Sequence, residues 1–264
     1  MSKYLYVYTL SLQNVLQRRA SLLMDRVGGI ATLLALYFFW SSIFKDSATV
    51  AGYPKAQMLT YVLMMSLLRS LVFTGRGWEV VGEISSGRLS NYLIRPIRYL
   101  GYCLSLDLAQ KTVHCAAAVF EISILILVLG APFHIPQSPQ TWVLFPIIAT
   151  FSTLLFFLLE FLVASLAFWT SESGGPLFCF DLLVQFLAGA FFPLDVLPRA
   201  LQAALYMTPF PYLVFFPIDV YLERAPTEMA LKVLATQGAW LVVVGMAAAT
   251  VWRRGLRNYA AEGG

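Results

Sequence analysis

Six long apolar segments dominate the pattern of hydrophobic and polar positions along the chain. They cover residues 27–44, 57–74, 112–130, 143–168, 176–193 and 230–251. A helix needs roughly 17 to 25 mostly apolar residues to cross a bilayer, and each segment comes near that length. The pattern therefore predicts an all-α integral membrane protein with six transmembrane helices. No polar block is long enough to fold separately, so we predict a single transmembrane domain over residues 1–264.

The positions of lysine and arginine predict how these helices are oriented, because basic residues near span ends are retained on the cytoplasmic side. With six spans, 12 of the 18 basic residues fall on the side of the two termini and five on the other side, while Arg69 lies inside a span. Both termini, and the loop 75–111 between the second and third spans, are therefore predicted to be cytoplasmic.

Residues 1–26, ahead of the first span, have an amphipathic pattern. Polar positions at helical spacing are Asn14, Gln17, Arg18, Ser21 and Asp25, and the opposing apolar positions are Leu5, Tyr8, Leu12, Val15 and Leu22. A helix with basic residues on its polar side is expected to lie in the membrane interface. The alternative is a plain cytoplasmic extension of the first span.

The outer loop 194–229, between the fifth and sixth spans, contains apolar pieces that are short and broken by proline. We predict short re-entrant or interfacial helices there, which need protein or water to satisfy their backbone groups at membrane depth. The alternative is one more kinked span. That alternative would place the C-terminus outside, and the tail with Arg253, Arg254 and Arg257 argues against it.

Four charged side chains fall within the predicted spans, namely Arg69, Glu121, Glu160 and Asp181. Each costs about 2.5–3.5 kcal/mol at the bilayer centre, so they are expected to pair, to protonate or to face water. In the six-span topology, Arg69, Glu160 and Asp181 are expected to meet in the inner half of the membrane, and Glu121 is a candidate for lining a pathway. A polar gate or proton relay is the functional interpretation, and an ion pair that fixes helix packing is the structural one.

Composition supports a membrane protein and points away from metal chemistry. The chain is 59% hydrophobic and 12% charged with a mean hydropathy of +0.73, whereas soluble domains are about a quarter charged. Cys103, Cys115 and Cys179 have no C-x-x-C spacing, and His114 and His134 stand apart. No metal site or disulfide framework is predicted.

The sequence lacks the signature of an ATPase. The nearest approach to a phosphate-binding loop places Gly77 and Gly82 at the right spacing but puts Glu83 where the lysine is required, and a carboxylate there would repel phosphate. No grouping of catalytic nucleophile and base is found either. We therefore predict that the chain is not an enzyme, has no catalytic residues, holds no cofactor and binds no nucleic acid.

The order of these features resembles the membrane subunits of type-2 ATP-binding-cassette exporters. The stretch VVGEISSGRLSNYLIRPI is similar to that family's loop after the second span, and GAFFPLDVLPRALQAALYMTPFPYL is similar to its outer loop. The tail WRRGLRNYAAEGG resembles that of a bacterial subgroup of small, stand-alone, six-span permeases. The resemblance covers essentially the whole chain, and it rests on the order of loose motifs.

The resemblance implies a permease in the bacterial cytoplasmic (inner) membrane, surrounded by its lipids. A second permease, identical or homologous, would complete a dimer, and two copies of a separate cytoplasmic ATPase subunit would bind ATP and magnesium. It also implies a coupling helix, roughly Trp78 to Leu93, that docks on the ATPase. The residues assigned to coupling are Trp78, Glu79, Glu83, Arg88 and Asn91.

The residues of this segment fit a coupling element on physical grounds. Trp78, Val81, Ile84 and Leu89 can face the membrane helices, which leaves Glu83, Arg88 and Asn91 to face a partner. The run Gly82, Ser85, Ser86 and Gly87 favours a break in the helix. A solvated basic loop that merely obeys the positive-inside rule is the alternative.

Two functions are therefore weighed. The first is a permease that moves a hydrophobic or amphipathic substrate out of the cytoplasm or inner leaflet, powered by a separate ATPase. The second is a proton-coupled secondary transporter that uses Glu121, Glu160 and Asp181. The absence of an inverted repeat of broken spans counts against the second.

Overall fold

The computed structural model describes residues 3–44, 49–50, 52–170 and 174–259, apart from the side chains of Arg19 and Ser21. Its first elements are α1 (Lys3–Gln17), α2 (Arg19–Ile43), β1 (Thr49–Val50), β2 (Tyr53–Pro54), α3 (Lys55–Val72), α4 (Gly77–Ser85) and α5 (Ser90–Leu93). There follow α6 (Tyr99–Leu129), α7 (Pro139–Ala164), α8 (Gly174–Leu187), α9 (Arg199–Tyr206), α10 (Phe215–Tyr221) and α11 (Thr227–Asn258). Short 3₁₀ turns occupy Ser165–Phe168, Leu194–Val196 and Phe210–Tyr212.

Within the described residues, five helical stretches are long and apolar enough to cross a membrane. They are α2, α3 together with α4, α6, α7 with its 3₁₀ turn, and α11. The predicted fifth span, 176–193, is not among these five stretches. Its helix, α8, has only 14 residues and is thus about 21 Å long, whereas the hydrocarbon core is about 30 Å thick. The chain leaves helical geometry after Leu187 and turns at Gly189, which has a φ of +79°.

Contacts in its middle and just past its end show that α8 runs in the opposite direction to α3. Midway along α8, Asp181 accepts a hydrogen bond from Trp78 of α4. Just after its end, the carbonyl of Gly189 accepts a hydrogen bond of 2.8 Å from the Tyr61 hydroxyl of α3. Hereafter the "α4 end" is the end of the molecule that carries α4, and the "α10 end" is the other.

The N-terminal segment is two helices rather than one amphipathic helix to residue 26. The chain turns at Arg18, whose backbone is not helical, and α2 then runs without a break from Arg19 into the first span. α1 packs along α6. Tyr4 of α1 lies so close to Gly101 of α6 that a Cβ added there would lie 2.7 Å from the tyrosine ring.

The third span begins earlier than predicted, at Tyr99 instead of residue 112. The second half of the predicted loop 75–111 is therefore helical, and it carries a buried ion pair. Lys111 Nζ lies 3.3 Å from Asp107 Oδ1 and also donates to the carbonyls of Val72, at 2.9 Å, and Thr74 at the end of α3. Lys111, which sequence reasoning counted as a loop residue, thus ties α6 to α3.

The predicted outer loop 194–229 folds into the protein. α10 is almost wholly buried against α3 and α7, as expected for short helices whose polar backbone groups need partners. The Tyr212 carbonyl accepts hydrogen bonds from Ser152 Oγ at 2.9 Å and Gln237 Nε2 at 2.8 Å. The backbone N–H of Phe215 donates to the carbonyl of Ala188 at 3.1 Å. Side chains of α7 and α11 thereby satisfy carbonyls that helix formation leaves free.

Charged residues organise the α10 end. Arg224 donates to Asp195 at 3.0 Å and to Asp219 at 3.2 Å, and its guanidinium lies 3.6 Å from the centre of the Tyr53 ring. The Tyr53 hydroxyl also donates to Asp195, at 2.9 Å. This cluster joins the small β-hairpin, the outer loop and α10.

Candidate functional site

A short non-helical break separates α3 from α4. It consists of residues 73–76, and α4 begins at Gly77. A Cβ added to Gly75 or Gly77 would overlap the carboxyl group of Glu160, which reaches in from α7. The two glycines therefore allow the backbone of the break to approach this carboxyl group closely.

Glu160 caps the start of α4 from a neighbouring helix. Its Oε1 accepts a hydrogen bond of 2.9 Å from the backbone N–H of Gly77, and its Oε2 accepts one of 3.2 Å from that of Arg76. The first N–H groups of a helix have no partner within the helix and carry partial positive charge. The carboxylate is only 5% exposed, so these two donors supply the partners that its burial requires.

A second carboxylate holds the other side of the same turn. The indole Nε1 of Trp78 donates to Asp181 Oδ2 of α8 at 2.9 Å. The ring itself remains 48% exposed and lies against Gly174, where an added Cβ would be 3.1 Å from it. Carboxylates from two different helices, α7 and α8, thus hold the N-terminal turn of α4.

The apolar positions predicted to face the membrane helices are buried except for Trp78, which is half-exposed. Val81 and Ile84 of α4, and Leu89 just beyond it, are buried with Val80 in a cluster that includes Phe161 of α7. The predicted helix break is also confirmed. α4 ends at Ser85, Gly87 adopts a left-handed φ of +74°, and the next helical turn, α5, begins at Ser90.

The predicted orientation of Glu83 toward a partner is wrong. Its side chain is buried, lies 3.5 Å from Arg76 Nη2, and accepts a hydrogen bond from the hydroxyl of Tyr99. Glu83 follows Val80 by three residues, and this spacing places it on the buried face of the helix. The other polar residues assigned to coupling, Glu79, Arg88 and Asn91, are exposed.

All four charged residues predicted within the spans, Arg69, Glu121, Glu160 and Asp181, line one cavity of about 690 Å³. Helices α2, α3, α6, α7 and α8 contribute to its wall. We call it the α2–α8 cavity. Arg69, Glu160 and Asp181 therefore line the same cavity, as expected. Within the described part of the chain, they form no ion pair with one another.

A base that sequence reasoning placed outside the spans provides the partner of Glu121. Arg26 Nη1 lies 3.8 Å from Glu121 Oε2. Its Nη2 contacts Nδ1 of His114 at 2.8 Å, and Nη1 reaches Ser70 Oγ at 3.3 Å. Because an arginine can only donate, Nδ1 of His114 must accept, which leaves this histidine neutral.

Sequence reasoning missed Arg26, Asp107, Lys111 and His114 as parts of this region. One local signal was available, because Asp107 and Lys111 are four residues apart and such a pair lies on one face of a helix. Arg26 and His114 carry no comparable signal, since they are 88 residues apart and meet only through the packing of α2 and α6.

A second cavity of about 580 Å³ adjoins the first and shares Asp25, Thr74, Gly75 and His114 with it. Asn14, Arg18 and Asp25 of the predicted polar stripe line this space. The side chain of Ser21 lies outside the described residues, and Gln17 is exposed elsewhere. The polar stripe of the N-terminal segment therefore faces a groove beside α4 and α6.

Comparison with known proteins agrees with this architecture. The sequence model of one family, described as ABC-2 family transporter protein, matches residues 30–263. No curated protein and no solved structure matches the chain. The match covers the second half of α2, the other four long helices, α8 and the elements of the outer loop, and it extends over far more than half of the chain. The chain therefore belongs to the ABC-2 transporter family, as a multi-pass membrane protein of the permease type.

Proposed function

We propose that this chain is the permease subunit of an ATP-driven exporter and that it receives mechanical work through α4. The substrate is a hydrophobic or amphipathic molecule that leaves the cytoplasm or the inner leaflet. ATP and magnesium bind to a separate ATPase subunit, which docks on the exposed side of α4 and α5. Family membership supports the permease, and the placement of α4 supports the route of coupling.

One observation carries this proposal, namely that α4 is held by carboxylates of two different helices. Glu160 of α7 binds its first backbone N–H groups, and Asp181 of α8 binds Trp78. α4 also continues from α3 across a break of only a few residues. A force applied to α4 is therefore transmitted to three membrane helices at once, because its attachments are short and direct.

The outward side of α4 and α5 has the chemistry of a docking surface for a soluble protein. Glu79, Arg88 and Asn91 are exposed, and each can form polar contacts at the rim of an interface. The opposite side is apolar and fixed in the bundle. This division lets the segment bind a partner without losing its place among the membrane helices.

The orientation that goes with this function places both termini and α4 in the cytoplasm. An even number of crossings is then needed, and we propose that α8 is the short fifth crossing, with the buried outer elements filling the remaining depth at the α10 end. The bias of lysine and arginine toward the side of the termini supports this orientation. We assign the protein to the cytoplasmic (inner) membrane of a bacterium.

A complete transporter would contain a second permease and two ATPase subunits. Exposed apolar side chains along α8, among them Phe178, Leu182 and Leu183, are available to contact lipid or a second permease. The proton-coupled alternative gains no support from the cavity, because Glu160 and Asp181 each accept a hydrogen bond within the chain and Glu121 lies in ion-pair distance of Arg26.

Charge reversal on the docking surface tests the proposal. The ATPase that co-purifies with the chain in mild detergent is assayed for ATP hydrolysis in proteoliposomes, with the wild type and with a variant carrying Glu79→Arg and Arg88→Glu. We expect the variant to insert normally but to reduce permease-stimulated hydrolysis roughly tenfold or more, because both reversed charges meet unfavourable partners. Glu83 is unsuitable for this test, since its reversal would bury an unpaired charge.

A matched control reverses an exposed pair at the α10 end, Glu228→Arg with Lys232→Glu on α11. It changes the same number and types of charges and should leave hydrolysis unchanged. Normal stimulation by the α4–α5 variant, or an equal loss in the control, would show that the ATPase does not dock on this surface.

A further inference from the structure

We propose that the α2–α8 cavity binds the anionic head group of an amphipathic molecule, with Arg69 as the counter-ion. This inference rests on the proposed function and deepens it, since it names the substrate class of the permease. The shared chemistry is an oxyanion, either a phosphate or a carboxylate, carried on an apolar body.

Among the described residues, none of the acids that line the cavity forms an ion pair with Arg69, and each buried one has another partner. Glu160 accepts two backbone hydrogen bonds, Asp181 accepts one from an indole, and Glu121 lies beside Arg26. The remaining acid of the lining, Asp25, is exposed on α2. Each buried acid of the lining therefore has a hydrogen-bond donor or a base of its own, and none of these partners is Arg69.

The guanidinium of Arg69 is the exception. Among the residues that the structure describes, its side chain forms no hydrogen bond and no ion pair, although it is half-buried on α3 and lines the cavity. A charged group at membrane depth is costly unless an opposite charge or water compensates it. Arginine presents several donors in a planar fork, a geometry that matches phosphate and carboxylate oxygens.

The lining is arranged for an amphipathic ligand. Toward the α4 end, the wall contains Thr74, Gln185 and the carboxylates held by α4. Toward the middle of α2 and α3, it includes the apolar side chains Leu33, Leu36 and Met65, with Thr32 and Ser66 beside them. The volume of about 690 Å³ lies within the range of about 300–1,000 Å³ that is typical of ligand sites. A head group with the first part of an apolar chain fits such a space.

The structure also offers a route by which a head group can reach Arg69. Gly28 and Gly29 line the cavity, and a Cβ added to either would meet nothing within 4 Å, so this part of α2 leaves the cavity wall open. The adjoining cavity leads to Arg18 at the turn between α1 and α2. A second basic residue therefore stands along the polar side of the route.

Binding of defined lipids to the purified full-length chain tests the inference. Native mass spectrometry in mild detergent compares dioleoyl phosphatidylglycerol, which is anionic, with dioleoyl phosphatidylcholine, which carries no net charge. We expect the wild type to bind the anionic lipid more tightly. Arg69→Gln should weaken that binding roughly tenfold, since a hydrogen-bonded charge is lost, while Arg69→Lys, which keeps the charge but not the planar fork, should have an intermediate effect.

Arg254→Gln is the matched control, because Arg254 is exposed on the last turns of α11 and lines neither cavity. An equal loss in this control would show that the lipid binds through general surface charge and would overturn the inference. Equal binding of the two lipids by the wild type would also overturn the inference. That result is expected if an acidic side chain of a second chain forms the ion pair with Arg69. Competition by inorganic phosphate would support the site and assign it to a free anion instead of a lipid.

The two proposals fail in different ways. If the chain does not stimulate an ATPase, the proposed coupling is wrong, but the lipid measurement on the isolated chain is unaffected. If coupling is normal and Arg69→Gln binds the anionic lipid as the wild type does, only the assignment of Arg69 is wrong.

Discussion

Replacing Gly77 by alanine should expel the carboxyl group of Glu160 from the start of α4. An added Cβ would lie 2.8 Å from both Cγ and Oε1 of Glu160, closer than real side chains approach. The glutamate side chain is more flexible than the backbone, so it must move and lose its contacts with the N–H groups of Gly77 and Arg76.

The expected loss of folding stability follows from the two hydrogen bonds. Each bond to a charged group contributes about 1.5–3 kcal/mol, so their loss costs about 3–6 kcal/mol. Alanine is more favourable than glycine in a helix by about 0.5–1 kcal/mol, which offsets part of that cost. The net destabilisation is about 2–5 kcal/mol, which corresponds to a fall in Tm on the order of 10 °C for a chain of this size.

Thermal unfolding of the purified protein in mild detergent measures this effect. Gly82→Ala is the control, because Gly82 lies within the same helix and an added Cβ there would approach only the end of the Arg88 side chain, at 3.8 Å. We expect Gly82→Ala to leave Tm unchanged or to raise it slightly.

A double-mutant cycle separates the carboxylate from any other effect of the added methyl group. In a Glu160→Ala background there is no carboxyl group to expel, so Gly77→Ala should cost nothing further and should behave like Gly82→Ala. The reasoning is refuted if Gly77→Ala lowers Tm equally in both backgrounds, or if it leaves Tm unchanged in the wild type.

Two further predictions concern the N-terminal helix and the α10 end. Gly101→Ala should push Tyr4 off α6, which loosens α1, so that amide hydrogen exchange in α1 rises while exchange in the other helices is unchanged. Backbone N–H donors of Gln137 and Ser138 lower the pKa of Glu223. The ionised Glu223 therefore stabilises the fold fully at pH values above the ordinary glutamate pKa of about 4.3. This stabilisation is lost as the pH falls through the lowered pKa. Glu223→Gln should thus lower Tm at pH 7 and flatten its decline in acid, and a variant whose Tm follows the wild-type pH profile would contradict this.

The membrane helices were largely predictable because burial in lipid demands long apolar runs, and such runs are visible in the sequence. Five of the six predicted spans correspond to helices of sufficient length. The length of α8 was overestimated because its apolar run continues to residue 193, past the turn at Gly189 where the helix has already ended. Hydropathy reports where a chain can be buried, and it does not report where the backbone stops being helical.

The segment of residues 78–93, which was predicted to couple the chain to an ATPase, was predictable in its local structure and not in its attachments. The break near Gly87 and the apolar face of α4 follow from glycine content and helical spacing, which are local properties. The inward position of Glu83 depended on Tyr99 and Arg76, which offer it a donor and a charge only after the chain has folded.

The sequence by itself determined that this is an α-helical membrane protein with no phosphate-binding loop, and it identified four of the charged residues that line one cavity. Only the tertiary structure decided what those charges do. Glu160 and Asp181 hold α4, Glu121 lies beside Arg26, and Arg69 is left with space for a ligand. The physical reason is that the cost of a charge in a membrane is a property of the residue, whereas its compensation comes from groups that are distant along the chain and meet only through packing.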